Sequence, residues 1–245
     1  MGFFDCDQFM IIGHRGIPSL YPENTMSSFI AARNASLDAI EFDLQLSIDK
    51  TIVIFHDYDM MRLTGMEKHP WNYTSAELKT FKILGSNEGI PLLSEIFENF
   101  QNYKLMIELK TLDDDFNRVN NGIEKIVIDM LKEYKIENVS IVSFNPIALR
   151  NIKKLNPSIP VGWNIKRRTE QLFKKPEPAM MKKMNFDFLQ FELSILTDKT
   201  LKLFEGTGIP ILVWDVDDIE NARKLKDKGV KGIITNRGNA LTGRL

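Results

Sequence analysis

Two of the three histidines in this 245-residue chain follow short apolar runs, M-I-I-G before His14 and T-I-V-I-F before His56. Between them, Glu41 and Asp43 stand in an E-x-D pattern within another apolar run. Side chains alternate between the two faces of a β-strand, so these two carboxylates should point to the same face. The spacing therefore predicts a pair of acids that act together, with imidazoles nearby.

A second charged run, L-M-I-E-L-K, ends with Glu108 and Lys110, and Arg15 directly follows His14. Three carboxylates are hard oxygen ligands, which suit Mg²⁺ or Ca²⁺ better than zinc. Clustered carboxylates raise one another's pKa unless positive charge is supplied. One divalent cation together with Arg15 and Lys110 would supply that charge and leave room for a substrate phosphodiester.

Cleavage of a phosphorus–oxygen bond needs a base for the nucleophile and an acid for the leaving alkoxide. An imidazole, with an ordinary pKa of about 6.5, can serve as either at neutral pH. Arginine can hold a phosphate through two hydrogen bonds, and lysine can hold it as a point charge. The residue types therefore indicate metal-assisted phosphodiester chemistry.

Short β-type runs alternate with amphipathic segments along the chain, which predicts an α/β fold with a parallel sheet. The predicted strands are Phe9–Gly13, Ala39–Asp43, Lys104–Leu109, Val139–Ser143, Pro160–Asn164, Phe186–Phe191, Pro210–Trp214 and Gly232–Thr235. The predicted helices are Met26–Asn34, Leu92–Asn102, Asn117–Tyr134, Ile147–Leu155 and Ile219–Lys228. About eight β/α units favour a (β/α)8 TIM barrel over a doubly wound open sheet.

One apolar run, Thr51–His56, follows Asp43 too closely for a parallel crossover. It is therefore predicted to return antiparallel to Leu44–Ser47, which would bring His56 roughly opposite Asp43 at the barrel rim. The irregular stretch that continues to about Ile90 would lie over the barrel mouth. We expect one domain over residues 1–245, with an insertion at about 44–90 after the second strand.

The composition and net charge of the chain are typical of an intracellular protein that acts on small molecules. A formal net charge of −1 gives no reason to expect nucleic-acid binding. The N-terminus lacks the features of a secretory signal, and no apolar run is long enough to insert stably in a membrane. The single cysteine, Cys6, excludes an internal disulfide and suits a reducing compartment. Cytoplasmic localisation is therefore expected.

Several motifs together resemble the glycerophosphodiester phosphodiesterase family. They occur in order along nearly the whole chain, and the N-terminal third is the most specific. These motifs are H-R-G at His14–Gly16, P-E-N-T at Pro22–Thr25, E-x-D at Glu41–Asp43, H-D at His56–Asp57, I-E-x-K at Ile107–Lys110, S-F at Ser143–Phe144, V-W-x-V at Val213–Val216 and G-I-I-T at Gly232–Thr235.

The resemblance implies a TIM barrel with a small insertion after strand two. It also implies hydrolysis of glycerophosphodiesters to glycerol 3-phosphate and an alcohol, with one divalent cation and two histidines. In this family the glycerol 2-hydroxyl usually attacks first, and water then opens the resulting cyclic phosphate. The chain departs from the family pattern at Ser36–Asp38, Asp49–Lys50 and Lys231, none of which is a reacting group.

Roles for individual residues follow from the same match. His14 and His56 would be the acid/base pair, and Glu41, Asp43 and Glu108 the metal ligands. Arg15 and Lys110 would bind the phosphate. Phe144 and Trp214, at strand ends, would form a wall for the alcohol. Glu23 and Asn24 would shape the first loop and cap the helix that follows.

Alternative readings remain open at this stage. Glu108 and Lys110 could be an internal salt bridge, and Phe144 and Trp214 could belong to the core. A basic run with interleaved apolar residues could contact anionic lipids, although a solvated irregular segment is favoured. That run contains Lys166, Arg167, Arg168, Phe173, Lys174, Lys175, Met180, Met181, Lys182, Lys183 and Met184.

Two other functions compete with hydrolysis of small diesters. Apolar residues of the insertion, Met60, Met61, Leu63 and Trp71, would support a lysophospholipase D-like enzyme working on lipid at a membrane surface. A catalytically silent barrel that binds phosphorylated ligands is the other, although the intact pair of histidines argues against it. The alcohol, the choice between Mg²⁺ and Ca²⁺, and the oligomeric state are not set by the sequence.

Overall fold

Eight parallel strands close into a barrel in the computed structural model, which describes residues 3–4, 8–113, 115–173 and 175–245. The first strand pairs with both the second and the last, and this pairing completes the ring. Numbered in chain order with the short antiparallel β3, the strands are β1 Met10–His14, β2 Ala39–Leu46, β3 Ile52–Ile54, β4 Leu105–Leu109, β5 Val139–Ser143, β6 Val161–Ile165, β7 Phe188–Glu192, β8 Ile211–Trp214 and β9 Gly232–Thr235. The predicted eight-stranded (β/α)8 barrel is confirmed.

Helices connect successive barrel strands and cover the outside of the ring. They are α1 Met26–Asn34, α2 Met61–Thr64, α3 Ser75–Thr80, α4 Leu93–Asn99, α5 Ile123–Glu133, α6 Pro146–Leu155, α7 Arg167–Phe173, α8 Pro178–Met184, α9 Asp198–Phe204, α10 Ile219–Asp227 and α11 Gly238–Leu241. Two 3₁₀ turns cover Pro70–Asn72 and Leu193–Ile195. The predicted α5 is shorter than expected because it begins after Gly122, which adopts a positive φ of 88°.

The interior of the barrel is apolar in its lower layers. Alternate residues of the strands point inward and form one buried cluster that contains Met10, Ile12, Ala39, Met106, Val142, Phe188, Leu212 and Ile234. Gly162 is required in this layer, because a Cβ there would lie 2.2 Å from the Phe188 ring. The intervening residues, such as Ile40 and Phe42 of β2, join the larger cluster beneath the helices. The same alternation turns Glu41 and Asp43 inward.

The strand β2 continues three residues beyond the predicted end because its last part forms a hairpin with β3. The pairing is antiparallel, with Leu44 opposite Ile54 and Leu46 opposite Ile52. The Phe55 N–H extends it by donating to the Asp43 carbonyl, 3.1 Å away. The predicted hairpin is therefore present, and it returns the chain to the barrel rim immediately before His56.

The predicted irregular insertion is ordered in part, since α2, a 3₁₀ turn and α3 occupy some of its residues. These elements bury a small apolar cluster of their own, in which Met60 is fully buried and Leu63 is 8% exposed. Trp71 stacks on His69 with ring centroids 4.4 Å apart. Of the residues expected to support lipid contact, Met60 and Leu63 are therefore unavailable, whereas Met61 is 48% exposed.

The basic run after β6 is also more ordered than expected, because it contains α7 and α8. Met181 is buried, and Phe173, Met180 and Met184 pack against the main core, so its apolar residues serve the fold. Lys174 lies outside the described residues. Within the described ranges, no helix combines the length and apolar character needed to cross a membrane.

The hairpin turn is tied to the insertion by Asp49. Its carboxylate accepts hydrogen bonds from Ser47 Oγ and from the Ser75 N–H and Oγ, the latter two at 2.9 and 2.8 Å. The bond from Ser47, together with those from Ser75, lowers the pKa of Asp49 to about 2. A carboxyl whose pKa is lower in the folded state stabilises that state above its unfolded pKa of about 3.9.

We expect Asp49→Ala to lower the free energy of unfolding by about 1 kcal/mol at pH 7, because these hydrogen bonds are lost. The difference from the parent should shrink as the pH falls from about 4 to about 2. Urea denaturation at pH 7 and at pH 2 measures the difference in the free energy of unfolding. Asp129→Ala is the control, because among the described residues the Asp129 carboxylate forms only an exposed ion pair, with Lys125. An equal loss at pH 2 would contradict this account.

Candidate active site

The charged residues predicted from the sequence meet at the carboxyl ends of three neighbouring strands. Strand register pairs His14 with Glu41, and Asp43 with Glu108. Residues paired across a parallel sheet point to the same face, so all four side chains enter the barrel mouth. One carboxylate oxygen from each of Glu41, Asp43 and Glu108 lies within 4.8 Å of the others.

The H-R-G motif forms a tight turn that aims Arg15 into the mouth. Arg15 and Gly16 both have positive φ, 55° and 91°. A Cβ on residue 16 would lie 2.2 Å from Ser28 Oγ, so glycine is needed for the loop to approach α1. Ser28 Oγ donates to the Arg15 carbonyl at 2.9 Å and accepts from the Ile17 N–H at 2.8 Å, which fixes the turn.

The P-E-N-T motif is part of the site as well as of the loop. Asn24 Nδ2 donates to Asp43 Oδ2 at 3.0 Å. The side chain that caps α1 is Thr25, which accepts from the Ser28 N–H at 3.2 Å. The expectation that Asn24 caps the helix is therefore wrong, since its side chain orients a carboxylate of the cluster.

The other two carboxylates also accept hydrogen bonds from protein donors. Glu41 Oε2 accepts from the Arg15 N–H at 3.2 Å. Glu108 Oε2 accepts from Asn164 Nδ2 at 3.0 Å. Asn164 was missed in the sequence, although inward alternation along V-G-W-N-I could have indicated it. These donors hold the acids in fixed orientations.

Two permanent cations partly neutralise the cluster. Lys110 Nζ lies 3.2 Å from Glu108 Oε1 and 3.8 Å from Asp43 Oδ1, and Arg15 Nε lies 3.4 Å from Asp43 Oδ2. Burial raises the pKa of Asp43, but the charges of His56, Arg15 and Lys110 outweigh it and hold that pKa well below its usual range. Burial lowers the pKa of Lys110, and the carboxylates of Glu108 and Asp43 reverse the effect and raise it.

The charges of His14 and Arg15 compensate Glu41 only in part. Burial and then the charge of Asp43 raise the pKa of Glu41 to about 8. Three buried oxygen-donor groups so close together, with one of them short of positive charge, fit a hard divalent cation. These residues could hold Mg²⁺ or Ca²⁺, and the donor set does not distinguish the two.

A second group of potential metal ligands consists of Glu23, His56 and Asp57. The two carboxylates of this group already form ion pairs with arginine side chains. Arg62 contacts Asp57 through Nε at 2.6 Å and Nη2 at 2.9 Å, and Glu23 through Nη2 at 2.7 Å. Arg15 Nη1 also donates to Glu23 Oε1 at 2.6 Å. This network positions the rim of the site, and nothing in the sequence pattern had indicated Arg62.

The two histidines have different surroundings. Burial and Arg15 lower the pKa of His14, but its hydrogen bond to Asp215 and the charges of Glu41 and Asp215 outweigh them and raise it to about 9. His56 Nδ1 lies 2.7 Å from Asp57 Oδ1. Burial and then Lys110 lower the pKa of His56, and the charge of Asp43 and the hydrogen bond to Asp57 only partly oppose them.

A cavity of ≈ 360 Å³ opens above the carboxylates. Phe144 and Trp214 both line it, with ring centroids 5.9 Å apart in an edge-on arrangement. Their role as a wall for the alcohol stays a prediction. Lys166 Nζ lies 4.7 Å from the centre of the Phe144 ring, so the first residue of the basic run belongs to the cavity rim.

Comparison with known proteins gives a consistent result. The profile of the glycerophosphoryl diester phosphodiesterase family matches residues 14–240. The chain is 30% identical to a glycerophosphodiester phosphodiesterase from Caldanaerobacter subterraneus subsp. tengcongensis over 247 residues, which cover 93% of each protein. It is also 23% identical to a human lysophospholipase D, covering 92% of this chain and 82% of that protein.

The fold is shared with a solved structure. An Oleispira antarctica phosphodiesterase in complex with the product sn-glycerol-3-phosphate superposes with a TM-score of 0.83, at 24% identity over 98% of each chain. Both proteins are therefore TIM barrels of closely similar architecture.

Removing one negative charge from the cluster should stabilise the metal-free protein. We expect Glu41→Gln to raise the free energy of unfolding in a chelator at pH 9, where most Glu41 is charged, by about 1–3 kcal/mol. Added Mg²⁺ or Ca²⁺ should stabilise the parent much more than the variant. Glu192→Gln, the same change at the end of β7, is the control and should alter neither value. A variant less stable than the parent in chelator would contradict the charge argument.

Proposed function

This chain belongs to the glycerophosphoryl diester phosphodiesterase family and is a phosphodiesterase of that kind; from this premise we propose how its residues act. Our proposal is that it hydrolyses small glycerophosphodiesters to glycerol 3-phosphate and an alcohol. His14 and His56 would be the acid/base pair, and Glu41, Asp43 and Glu108 would hold one divalent cation. The convergence of these five side chains at one barrel mouth carries the proposal.

The substrate phosphate would bind above the carboxylate cluster, within reach of Arg15 and Lys110. Both cations line the cavity and also contact the carboxylates, so their positions are fixed before substrate arrives. Arg15 offers a planar group for two hydrogen bonds, and Lys110 offers a point charge. When bound, a divalent cation stabilises the negative charge that develops on the phosphate oxygens. A substrate monoanion then restores the charge balance of the pocket.

The histidines are suited to proton transfer because each is held through the same ring nitrogen. Nδ1 of His14 contacts Asp215 at 2.9 Å, and Nδ1 of His56 contacts Asp57 at 2.7 Å. Nε2 of each ring is thereby left for the substrate. One imidazole would take the proton of the attacking hydroxyl, and the other would protonate the leaving alkoxide oxygen. In the route typical of the family, water would open a cyclic phosphate with the two roles exchanged.

The leaving alcohol would lie against Phe144 and Trp214. Their edge-on pair offers an apolar surface, and Lys166 marks its outer limit. The ≈ 360 Å³ cavity suits a head group such as glycerol, ethanolamine or choline. The burial of Met60 and Leu63 removes part of the apolar surface on which the lysophospholipase D alternative relied, which favours deacylated substrates.

We expect His14→Ala and His56→Ala each to reduce kcat on glycerophosphocholine, assayed with Mg²⁺ or Ca²⁺, by about 10²–10⁴-fold, because each removes a proton-transfer group. His69→Ala is the matched control. His69 contacts the Tyr58 carbonyl and Trp71 in the insertion, so its loss should change kcat by less than about threefold. Near-parental turnover in either of the first two variants, with the fold intact by circular dichroism, would exclude the proposed acid/base pair.

A further inference from the structure

His14 Nδ1 faces two oxygen atoms at once. Asp215 Oδ1 and Asn236 Oδ1 each lie 2.9 Å from it. An ionised carboxylate can only accept a hydrogen bond, so Nδ1 must carry a hydrogen and donate. The second partner matters because an asparagine side chain can present either its oxygen or its NH₂ group to the ring.

The orientation of the Asn236 amide is set by Asp217. Asn236 Nδ2 donates to Asp217 Oδ2 at 2.9 Å, and the Asn236 N–H donates to Asp217 Oδ1 at 2.7 Å. Thr235 Oγ1 donates to the same Oδ1 at 2.9 Å. The Asp217 carboxylate accepts all three hydrogen bonds. A hydrogen-bond donor in place of Oδ2 would instead meet the NH₂ group of Asn236, which is also a donor. Asp217 therefore keeps the Asn236 oxygen turned toward His14.

The position of Nε2 follows from the position of Nδ1. With Nδ1–H directed at two oxygen atoms, Nε2 faces the carboxylate cluster, 4.0 Å from Glu41 Oε2. In the neutral ring the lone pair then lies on Nε2, and in the charged ring the transferable proton lies there. Either way, the nitrogen that exchanges a proton is the one on the cavity side.

We propose that Asp217, acting through Asn236, is a positioning residue that fixes the ring orientation and the Nδ1–H tautomer of His14 together with the Asp215 carboxylate. The proposal rests on the proposed role of His14 in proton transfer. It adds two residues that follow β8 and β9. Of these strands, β9 pairs with β1, and β8 pairs with β9. Asp217 does not touch the cavity itself, so its effect on the reaction would be indirect.

The neighbouring residue shows that the position of Asp217 is specific. Asp218 has the same side chain but caps α10, accepting from the Asn221 N–H at 2.8 Å. The two consecutive aspartates therefore serve different structures, one the helix and the other the His14 contact. This pair supplies a matched experiment in which the same substitution is made one residue apart.

The test is Asp217→Asn. An amide at residue 217 brings an NH₂ group against Asn236 Nδ2, and Asn236 should turn to present its NH₂ to His14 Nδ1. That donor opposes the Nδ1–H tautomer. We expect kcat to fall by about 10–100-fold, the usual cost of disturbing a residue that orients a working group, with little change in KM. Asp218→Asn should leave kcat unchanged, because asparagine caps helices as well as aspartate does.

A spectroscopic readout separates positioning from a general structural effect. The ¹⁵N chemical shifts of the neutral His14 ring report which nitrogen carries the hydrogen. They are recorded on metal-free protein above about pH 10, because the pKa of His14 is raised to about 9. The chain contains three histidines, so the His14 signals can be assigned from their loss in His14→Ala. We expect the Nδ1–H tautomer in the parent and in Asp218→Asn, and a shifted or mixed population in Asp217→Asn.

The outcomes distinguish the two levels of the proposal. An unchanged tautomer in a folded Asp217→Asn variant overturns the positioning role, whatever happens to activity. A changed tautomer with parental kcat supports the positioning contact and overturns the role of His14 in proton transfer. If Asp217→Asn does not fold, Asn236→Ala removes the oxygen itself. It should lower kcat and shift the His14 Nδ1 signal, because one of the two acceptors of the Nδ1–H is lost. An unchanged spectrum overturns the inference.

Discussion

Electrostatic repulsion among three buried carboxylates is the constraint on which the rest of this site depends. Glu41, Asp43 and Glu108 bring their oxygens within 4.8 Å of one another, where water cannot screen them well. Arg15 and Lys110 compensate two of the three charges, and Arg15 is also shared with Glu23. Glu41 is compensated least, and we propose that a divalent cation held by the three carboxylates would stabilise the protein and then attract the substrate phosphate.

The barrel accommodates the three carboxylates without disturbing its apolar core. The inward-facing residues of strands such as β2 are apolar in the barrel interior and polar toward the mouth. Along β2, Ala39 belongs to the packed interior, and Glu41 and Asp43 follow it on the same face toward the mouth. The carboxylates therefore lie on strands whose hydrogen bonds fix their spacing, rather than on mobile loops. The hairpin returns the chain to the same rim and brings His56 and Asp57 with it. Strands thus hold the three acids and His14, and the loop after the hairpin supplies His56 and Asp57.

Much of this arrangement could be predicted from the sequence, because side chains alternate between the two faces even in a short strand. The E-x-D of β2 and the E-x-K at the end of β4 identified the inward face, and the length of the turn at Asp49 identified the hairpin. The sequence could not predict the parts of the site that depend on contacts between distant residues or on very short elements. His14 and Asn236 are 222 residues apart, and Arg62 lies in a four-residue helix that looked like part of a loop. Met60 and Leu63 were also expected to be available to lipid. They are buried in a small separate core, which no long periodic helix marks in the sequence.

We propose that a cation completes this carboxylate cluster and that phosphodiester cleavage depends on it. Hydrolysis of a glycerophosphodiester should be measured with protein that has been exhaustively chelated, and then during titration with Mg²⁺ or Ca²⁺ alone. We expect activity to be lost in the chelated protein and to recover with about one equivalent of cation bound per chain. Full activity in the chelated protein would exclude a metal-dependent reaction.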